Sequence, residues 1–67
     1  MPIWILHDDD EGTDCDRVTR ATLREYLADG SITRADARRI LRADVGVPVV
    51  MSGTGGAMPQ YSIRRTE

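Results

Sequence analysis

The sequence predicts a small α+β domain with the element order β-α-α-β-β, in which two helices pack on one face of an antiparallel three-stranded sheet. Three observations support this prediction: an apolar run at the N-terminus, two helical patterns joined by a turn within residues 17–42, and a hairpin pattern over residues 47–65. Sixty-seven residues allow a single domain, residues 1–67, with one small core. Strand 2–7 is expected to lie beside the hairpin, and a homodimer could complete the core.

The first predicted strand is the apolar run Pro2–Leu6, PIWIL. A continuous run of strand-forming residues is typical of a strand that is buried on both faces. His7 is expected to end this strand in a structural or solvated role.

Residues 8–16, DDDEGTDCD, are predicted to form an acidic loop that turns at Gly12. Thr13, Asp14 or Asp16 could cap the first helix, since their side-chain oxygens accept hydrogen bonds from free backbone N–H groups. The alternative to this structural role is a contact surface for a basic partner, formed by Asp8, Asp9, Asp10, Glu11, Asp14 and Asp16.

The same residues argue against a metal site. A calcium loop requires a carboxylate at its twelfth position, but counting from Asp8 or Asp10 gives Thr19 or Ala21. His7 and Cys15 are the only soft ligands in the sequence, too few for structural zinc. We expect neither a metal nor a cofactor.

The first helix is predicted from an apolar half of the helical wheel opposite three arginines. Its apolar half carries Val18, Thr22, Leu23, Tyr26 and Leu27, and its opposite face carries Arg17, Arg20 and Arg24. Gly30 is expected to end this helix in a left-handed conformation.

The second helix is predicted to begin after Thr33, with Asp36 completing a capping-box pattern and Ile32 packing just before the cap. Its apolar arc is expected to comprise Ala37, Ile40, Leu41 and Val45.

An arginine stripe follows this second helix at i, i+4 and i+8, in Arg34, Arg38 and Arg42. Each like-charge pair costs about 0.2–0.5 kcal/mol, and only Asp36 with Arg39 offers local relief. The stripe is either a solvated face, neutralised elsewhere in the fold, or a surface for phosphates or an acidic partner. The nucleic-acid version of this interpretation uses Arg34, Arg38, Arg39, Arg42, Arg64 and Arg65.

The C-terminal part predicts a hairpin. Val47–Met51 is a strand that starts at Pro48 or lies at a sheet edge, since Pro has no N–H for the ladder. Residues 60–65 alternate and predict the return strand. The glycine-rich loop between them, residues 52–57, lacks the GK[ST] ending of a phosphate-binding loop and is expected to be a hairpin loop.

Composition and charge restrict the possible locations and functions. The net charge is −2, with six acids and no Arg or Lys in residues 1–16, and seven Arg against four acids in residues 17–45. A single cysteine, Cys15, favours a reducing compartment and hence a cytoplasmic location. We expect no membrane span, since no apolar run approaches about 20 residues. We also expect no signal peptide, since the N-terminus has no basic region followed by an apolar stretch.

Residues 23–36, LREYLADGSITRAD, resemble the opening helix-turn-helix of winged-helix DNA-binding regulators. The Gly-rich hairpin that ends in Tyr61-Ser62-Ile63 resembles their wing. The resemblance covers residues 23–63 and implies DNA binding through the arginines of the second helix, with Gly53–Ala57 as the wing. The chain departs from the family because no third, recognition helix precedes Val47.

The opening Met1-Pro2-Ile3 is similar to the oxalocrotonate-type tautomerases, in which an N-terminal Pro acts as base. That resemblance implies Pro2 as the base. The chain departs from the family at Gly30-Ser31, which breaks the expected long helix, and in the acids of residues 8–11.

These observations predict a small non-enzymatic protein-binding inhibitor or adaptor of the phage or mobile-element type. It resembles anti-CRISPR proteins only in size and charge. The acidic loop would contact a basic partner, for example a nucleic-acid-binding protein, by presenting carboxylates in place of phosphates. The alternative is a nucleic-acid-binding accessory regulator, but domains built to neutralise phosphates are usually basic, whereas this chain is acidic.

Overall fold

The computed structural model describes residues 2–51 and 60–67. These form four strands and two helices in the order β-β-α-α-β-β. The α+β class and the two helices are confirmed, but the sheet has four strands, not three. The elements are β1 (Trp4–Asp8), β2 (Thr13–Val18), α1 (Arg20–Ala28), α2 (Arg34–Arg42), β3 (Pro48–Val50) and β4 (Tyr61–Arg65).

The sheet is antiparallel throughout the described strands, with the order β2-β1-β4-β3. β1 pairs with β4 from Trp4 opposite Arg65 to Asp8 opposite Tyr61, which confirms that the first strand lies beside the C-terminal hairpin. β3 begins at Pro48 and lies at one edge, as the missing proline N–H predicts. The predicted loop at residues 52–57 lies outside the described residues.

The acidic segment is a β-hairpin, and the prediction of a loop is wrong. β2 runs back along β1 after a turn at residues 9–12, where Gly12 has φ of 74° and its N–H donates to the Asp8 carbonyl at 2.7 Å. Aspartate is a poor strand former, but β2 is an edge strand whose first five residues are exposed. Val18, fully buried opposite Trp4, anchors the strand to the core.

The core lies between the two helices and one face of the sheet, which we call the helix face. Trp4 and Leu6 of β1 are buried there, in register with Ile63 and Val49 of the neighbouring strands. The opposite face, the open face, receives the alternate residues, of which Ile5 is only partly buried. The prediction that the first strand is buried on both faces is therefore wrong.

α1 is capped by Thr19, which lies later in the chain than the residues predicted to cap it. Thr19 Oγ1 accepts from the Thr22 N–H at 3.3 Å, and Thr22 Oγ1 accepts from the Thr19 N–H at 3.2 Å. Thr13, Asp14 and Asp16 do not cap this helix, because all three belong to β2.

The predicted left-handed end of α1 is confirmed. Gly30 has φ of 80°, and the Ser31 N–H donates to the Tyr26 carbonyl at 2.8 Å. The Gly30 N–H donates to the Leu27 carbonyl at 3.4 Å, which completes a Schellman-type end.

α2 begins after Thr33, as predicted, with Thr33 Oγ1 accepting from the Asp36 N–H at 3.1 Å. Its buried residues are Asp36, Ala37 and Ile40, whereas Leu41 is 51% exposed. The predicted apolar arc is therefore wrong at Leu41, and also at Val45, which lies beyond the helix and is exposed. Asp36 Oδ1 accepts from Arg39 Nη1 at 2.9 Å, which confirms the local charge relief.

Candidate functional site

A β-bulge sorts the aspartates of β2 between the two faces of the sheet. Leu6 is opposite Asp16 and His7 is opposite Asp14, so Cys15 is an extra residue in the ladder. A bulge of this kind redirects the side chains next to it. Asp14 therefore lies beside His7 on the open face, although Asp16 stands opposite the buried Leu6 of the helix face.

Asp14 links three strands on the open face. Its Oδ1 is 2.8 Å from His7 Nδ1, and its two oxygens accept from Arg64 Nη1 and Nη2 at 3.1 and 3.0 Å. Hydrogen bonding to Arg64, and then to His7, lowers the pKa of Asp14 to about 2. The same bond to Asp14 raises the pKa of Arg64. Asp14 thus connects the edge strand β2 to β1 and β4.

Asp9 ties the start of the turn to β4. Ser62 Oγ donates to Asp9 Oδ1 at 2.9 Å, and the Asp9 N–H donates to the Gln60 carbonyl at 2.9 Å. Ser62 is buried, so this hydrogen bond also satisfies a hydroxyl that has little access to water. His7 Nε2 lies 3.9 Å from Asp9 Oδ1.

Asp8 holds the turn itself. Its Oδ1 accepts from the backbone N–H groups of Asp10 and Glu11 at 3.0 and 3.2 Å. The side chains of Asp10 and Glu11 are exposed, and no hydrogen bond or ion pair within residues 2–51 and 60–67 involves them. These two carboxylates form the acidic tip of the hairpin.

Asp16 bonds within β2 and lies near α1. Its Oδ1 accepts from the Arg17 N–H at 2.8 Å. Burial raises the pKa of Tyr26, and the nearby Asp16 carboxylate raises it further. Asp16 is therefore the hairpin acid nearest to Tyr26 of α1 in its electrostatic effect.

The structure thus brings the six predicted acids onto one hairpin but gives them different environments. Asp8, Asp9, Asp14 and Asp16 have partners within the chain. Of these six acids, only Asp10 and Glu11 at the acidic tip have carboxylates without such partners among the described residues.

The six arginines of the nucleic-acid alternative do not form one surface. Arg64 points to the open face and pairs with Asp14, whereas α2 packs on the helix face. Arg39 pairs with Asp36, and Arg65 Nε donates to the Glu67 carbonyl. Exposed arginines with no ion pair in the described part of the chain remain on α2 at Arg34, Arg38 and Arg42.

A groove between α1 and α2 was not anticipated from the sequence. It has a volume of about 140 Å³. The sequence contained a signal for it, because Leu27 and Leu41 fit the apolar arcs of their helices, and the structure leaves both side chains exposed. The groove is lined by Arg20, Leu23, Arg24, Leu27, Ala37 and Leu41.

His7, Cys15 and Pro2 have different surroundings. His7 bonds to Asp14, whereas Cys15 Sγ lies 3.7 Å from the Thr13 carbonyl oxygen, and Pro2 is half-buried ahead of β1. Within the described residues, no group of three or more His, Cys, Asp or Glu is placed to hold a metal ion. Neither nine-residue helix is long and apolar enough to cross a membrane, and the described residues contain no other helix.

Comparison with known proteins gives no match: no family model fits the chain, and no curated protein or solved structure is significantly similar to it. The winged-helix resemblance stays a prediction, since residues 53–57 of its wing lie outside the described residues. α2 ends at Arg42 and β3 starts at Pro48, so no helix lies between them.

Proposed function

We propose that this protein is a non-enzymatic, cytoplasmic protein-binding inhibitor or adaptor of the phage or mobile-element type, which contacts a basic partner through the acidic hairpin. One observation supports the proposal most strongly. The carboxylates of Asp10 and Glu11 are exposed at the tip of a turn whose backbone is held by Asp8 and Asp9.

A held turn favours binding because its order is established before the partner arrives. Binding costs free energy for each loop and side chain that becomes ordered, and a preorganised contact lowers that cost. The hydrogen bonds of Asp8 and Asp9 fix the backbone of the tip before a partner binds. The partner would gain two charge-assisted contacts from lysines or arginines.

The acidity of β2 also restricts which partner can approach its edge. An edge strand exposes unpaired backbone groups, and charged side chains or bulges prevent unwanted pairing. Asp14 and Cys15 supply a charge and a bulge on β2. Like charges would oppose a second copy here, whereas a basic surface, for example that of a nucleic-acid-binding protein, would be attracted.

The experiment is affinity capture from a nuclease-treated host lysate with a tip variant, Asp10→Asn with Glu11→Gln. This variant removes both unpartnered carboxylates and leaves Asp8 and Asp9 to hold the turn. The matched control, Glu25→Gln with Asp44→Asn, makes the same change in net charge at exposed positions elsewhere.

We expect the tip variant to lose the partner and the control to keep it, with both variants showing wild-type circular dichroism. Capture that survives in the tip variant would refute the proposal. Equal loss in the control would attribute binding to net charge and would refute it as well.

The second candidate is a nucleic-acid-binding accessory regulator, supported by the exposed, unpaired Arg34, Arg38 and Arg42. Arg38→Ala should then weaken binding to duplex or single-stranded DNA and flatten the slope of log K against log salt by about one unit. The absence of any salt-dependent binding at low ionic strength would remove this candidate.

A further inference from the structure

We infer that the groove between α1 and α2 is a second binding surface, and that it takes an amphipathic helical segment of a partner protein with apolar anchors flanked by carboxylates. This surface is separate from the acidic hairpin, so the inference does not depend on the proposed function.

The floor and walls of the groove are apolar. Leu23 and Ala37 are buried and form its floor, whereas Leu27 and Leu41 are 37% and 51% exposed at its walls. Leu23 and Leu27 are four residues apart on α1, as are Ala37 and Leu41 on α2, so each pair lies on one side of its helix. The two pairs face each other across the groove and offer partly exposed surface to an apolar side chain.

The rim of the groove is positively charged. Arg20 and Arg24 line it from α1, one helical turn apart. Arg38 lies three residues before Leu41 on α2 and so borders the same wall. In the described ranges, none of these three arginines forms an ion pair. Carboxylates of an occupant would neutralise this rim and relieve the repulsion between Arg20 and Arg24.

The length of the groove sets the length of the occupant. The groove lining runs along α1 from Arg20 to Leu27, which gives about 10.5 Å, since an α-helix rises about 1.5 Å per residue. That length accommodates about two turns, enough for apolar anchors at i, i+4 and i+7. A nucleic acid would contact the arginines but would leave the leucines uncovered, so the combination favours an acidic amphipathic helix.

The test uses a displayed library of peptides about four turns long, with Leu fixed at i, i+4 and i+7 and the other positions drawn from Asp, Glu, Ala and Gln. Selected peptides are measured by fluorescence anisotropy. The groove variants are Leu41→Ala and Arg24→Gln. Their matched controls are Val50→Ala and Arg17→Gln, which change exposed residues that do not line the groove.

We expect acidic peptides to be enriched and their Kd to rise roughly tenfold in each groove variant, as for an interface residue that contributes about 1.4 kcal/mol. The control variants should bind within about twofold of wild type, which corresponds to less than about 0.5 kcal/mol.

Three results would overturn the inference. The first is that no acidic peptide is enriched, or that enriched peptides bind Leu41→Ala as tightly as wild type. The second is that a short DNA duplex binds with sensitivity to Arg24→Gln but not to Leu41→Ala, which would assign the surface to nucleic acid. The third is a dimer in analytical ultracentrifugation that Leu41→Ala abolishes, which would assign the groove to a second copy of the chain.

Discussion

Val49 and Val50 are adjacent in β3, yet the structure predicts very different costs for replacing each by Ala. Val49 is in register with Ile63 and is 6% exposed, whereas Val50 is opposite Ser62 and is 52% exposed. Both substitutions lower the strand propensity by the same amount, so the difference between their losses of unfolding free energy measures the effect of burial.

The magnitudes follow from the carbons removed. Val49→Ala removes two buried carbons at about 0.8 kcal/mol each, and the residual cavity raises the loss to about 2 kcal/mol. In Val50→Ala the same two carbons are about half exposed, so the loss should be at most about half as large before any cavity, near 0.8 kcal/mol. A chain of this length has a total stability of about 3–10 kcal/mol, so the first substitution removes a large share.

Urea and thermal denaturation followed by far-UV circular dichroism measure both losses, and the fluorescence of the single tryptophan, the buried Trp4, provides a second probe. We expect Val49→Ala to lower the melting temperature by about 8–16 °C, without a change in the urea m-value. Val50→Ala should lower it by no more than about half as much.

Equal losses in the two variants would refute the assigned register of β3 against β4. A larger loss in Val50→Ala would mean that the strand is shifted by one residue, since such a shift exchanges its two faces.

Three further predictions concern the turn and the titrating groups. Gly30→Ala should lower the free energy of unfolding by about 1–2 kcal/mol in urea denaturation, because φ is 80°. No atom lies within 4 Å of the added Cβ, so the loss comes from the backbone conformation and not from a clash. Gly30→Asn should cost less. Asp14 has a folded pKa of about 2, below its ordinary 3.8, so its stabilisation is present above pH 3.8 and is lost as the pH falls towards about 2; Asp14→Asn should show lower stability at neutral pH and a flatter acid limb. Asp16→Asn should lower the pKa of Tyr26, measured by ultraviolet titration in a Tyr61→Phe background, and an unchanged titration would contradict the contact.

Local patterns in the sequence predicted the helices and the C-terminal strand pair. Thr33 and Gly30 are residue types with strong positional preferences at helix ends, and both occupy the predicted positions. Pro48 likewise restricted its strand to an edge. These signals succeed because each depends on one residue and its own backbone.

β2 could not be predicted because its aspartates disfavour a strand and one of the side chains that hold it is distant in the sequence. Asp14 and Asp16 disfavour strands locally, yet Asp14 is held by Arg64, fifty positions further along the chain. The cross-strand neighbours that decide strand formation are visible only once β1, β2 and β4 are aligned.

The helix faces show a similar limit. A helical wheel placed Leu41 inside, but Asp36, one turn before Ile40, is buried in its place and accepts a hydrogen bond from Arg39. With Asp36 on the buried side of α2, Leu41 lies at the wall of the groove between α1 and α2. The acids of the candidate site were identified from sequence, but their division into four structural aspartates and two tip carboxylates required the register of the hairpin.

The central claim is that Asp10 and Glu11 contact a basic partner, and carboxylate-to-lysine zero-length cross-linking tests it most directly. The chain has no Lys, so every link that mass spectrometry identifies between one of its carboxylates and a lysine reports a contact with a partner. We predict links from Asp10 or Glu11 to lysines of the captured protein. Links confined to Glu25, Asp44 or Glu67, with none at the tip, would contradict the claim.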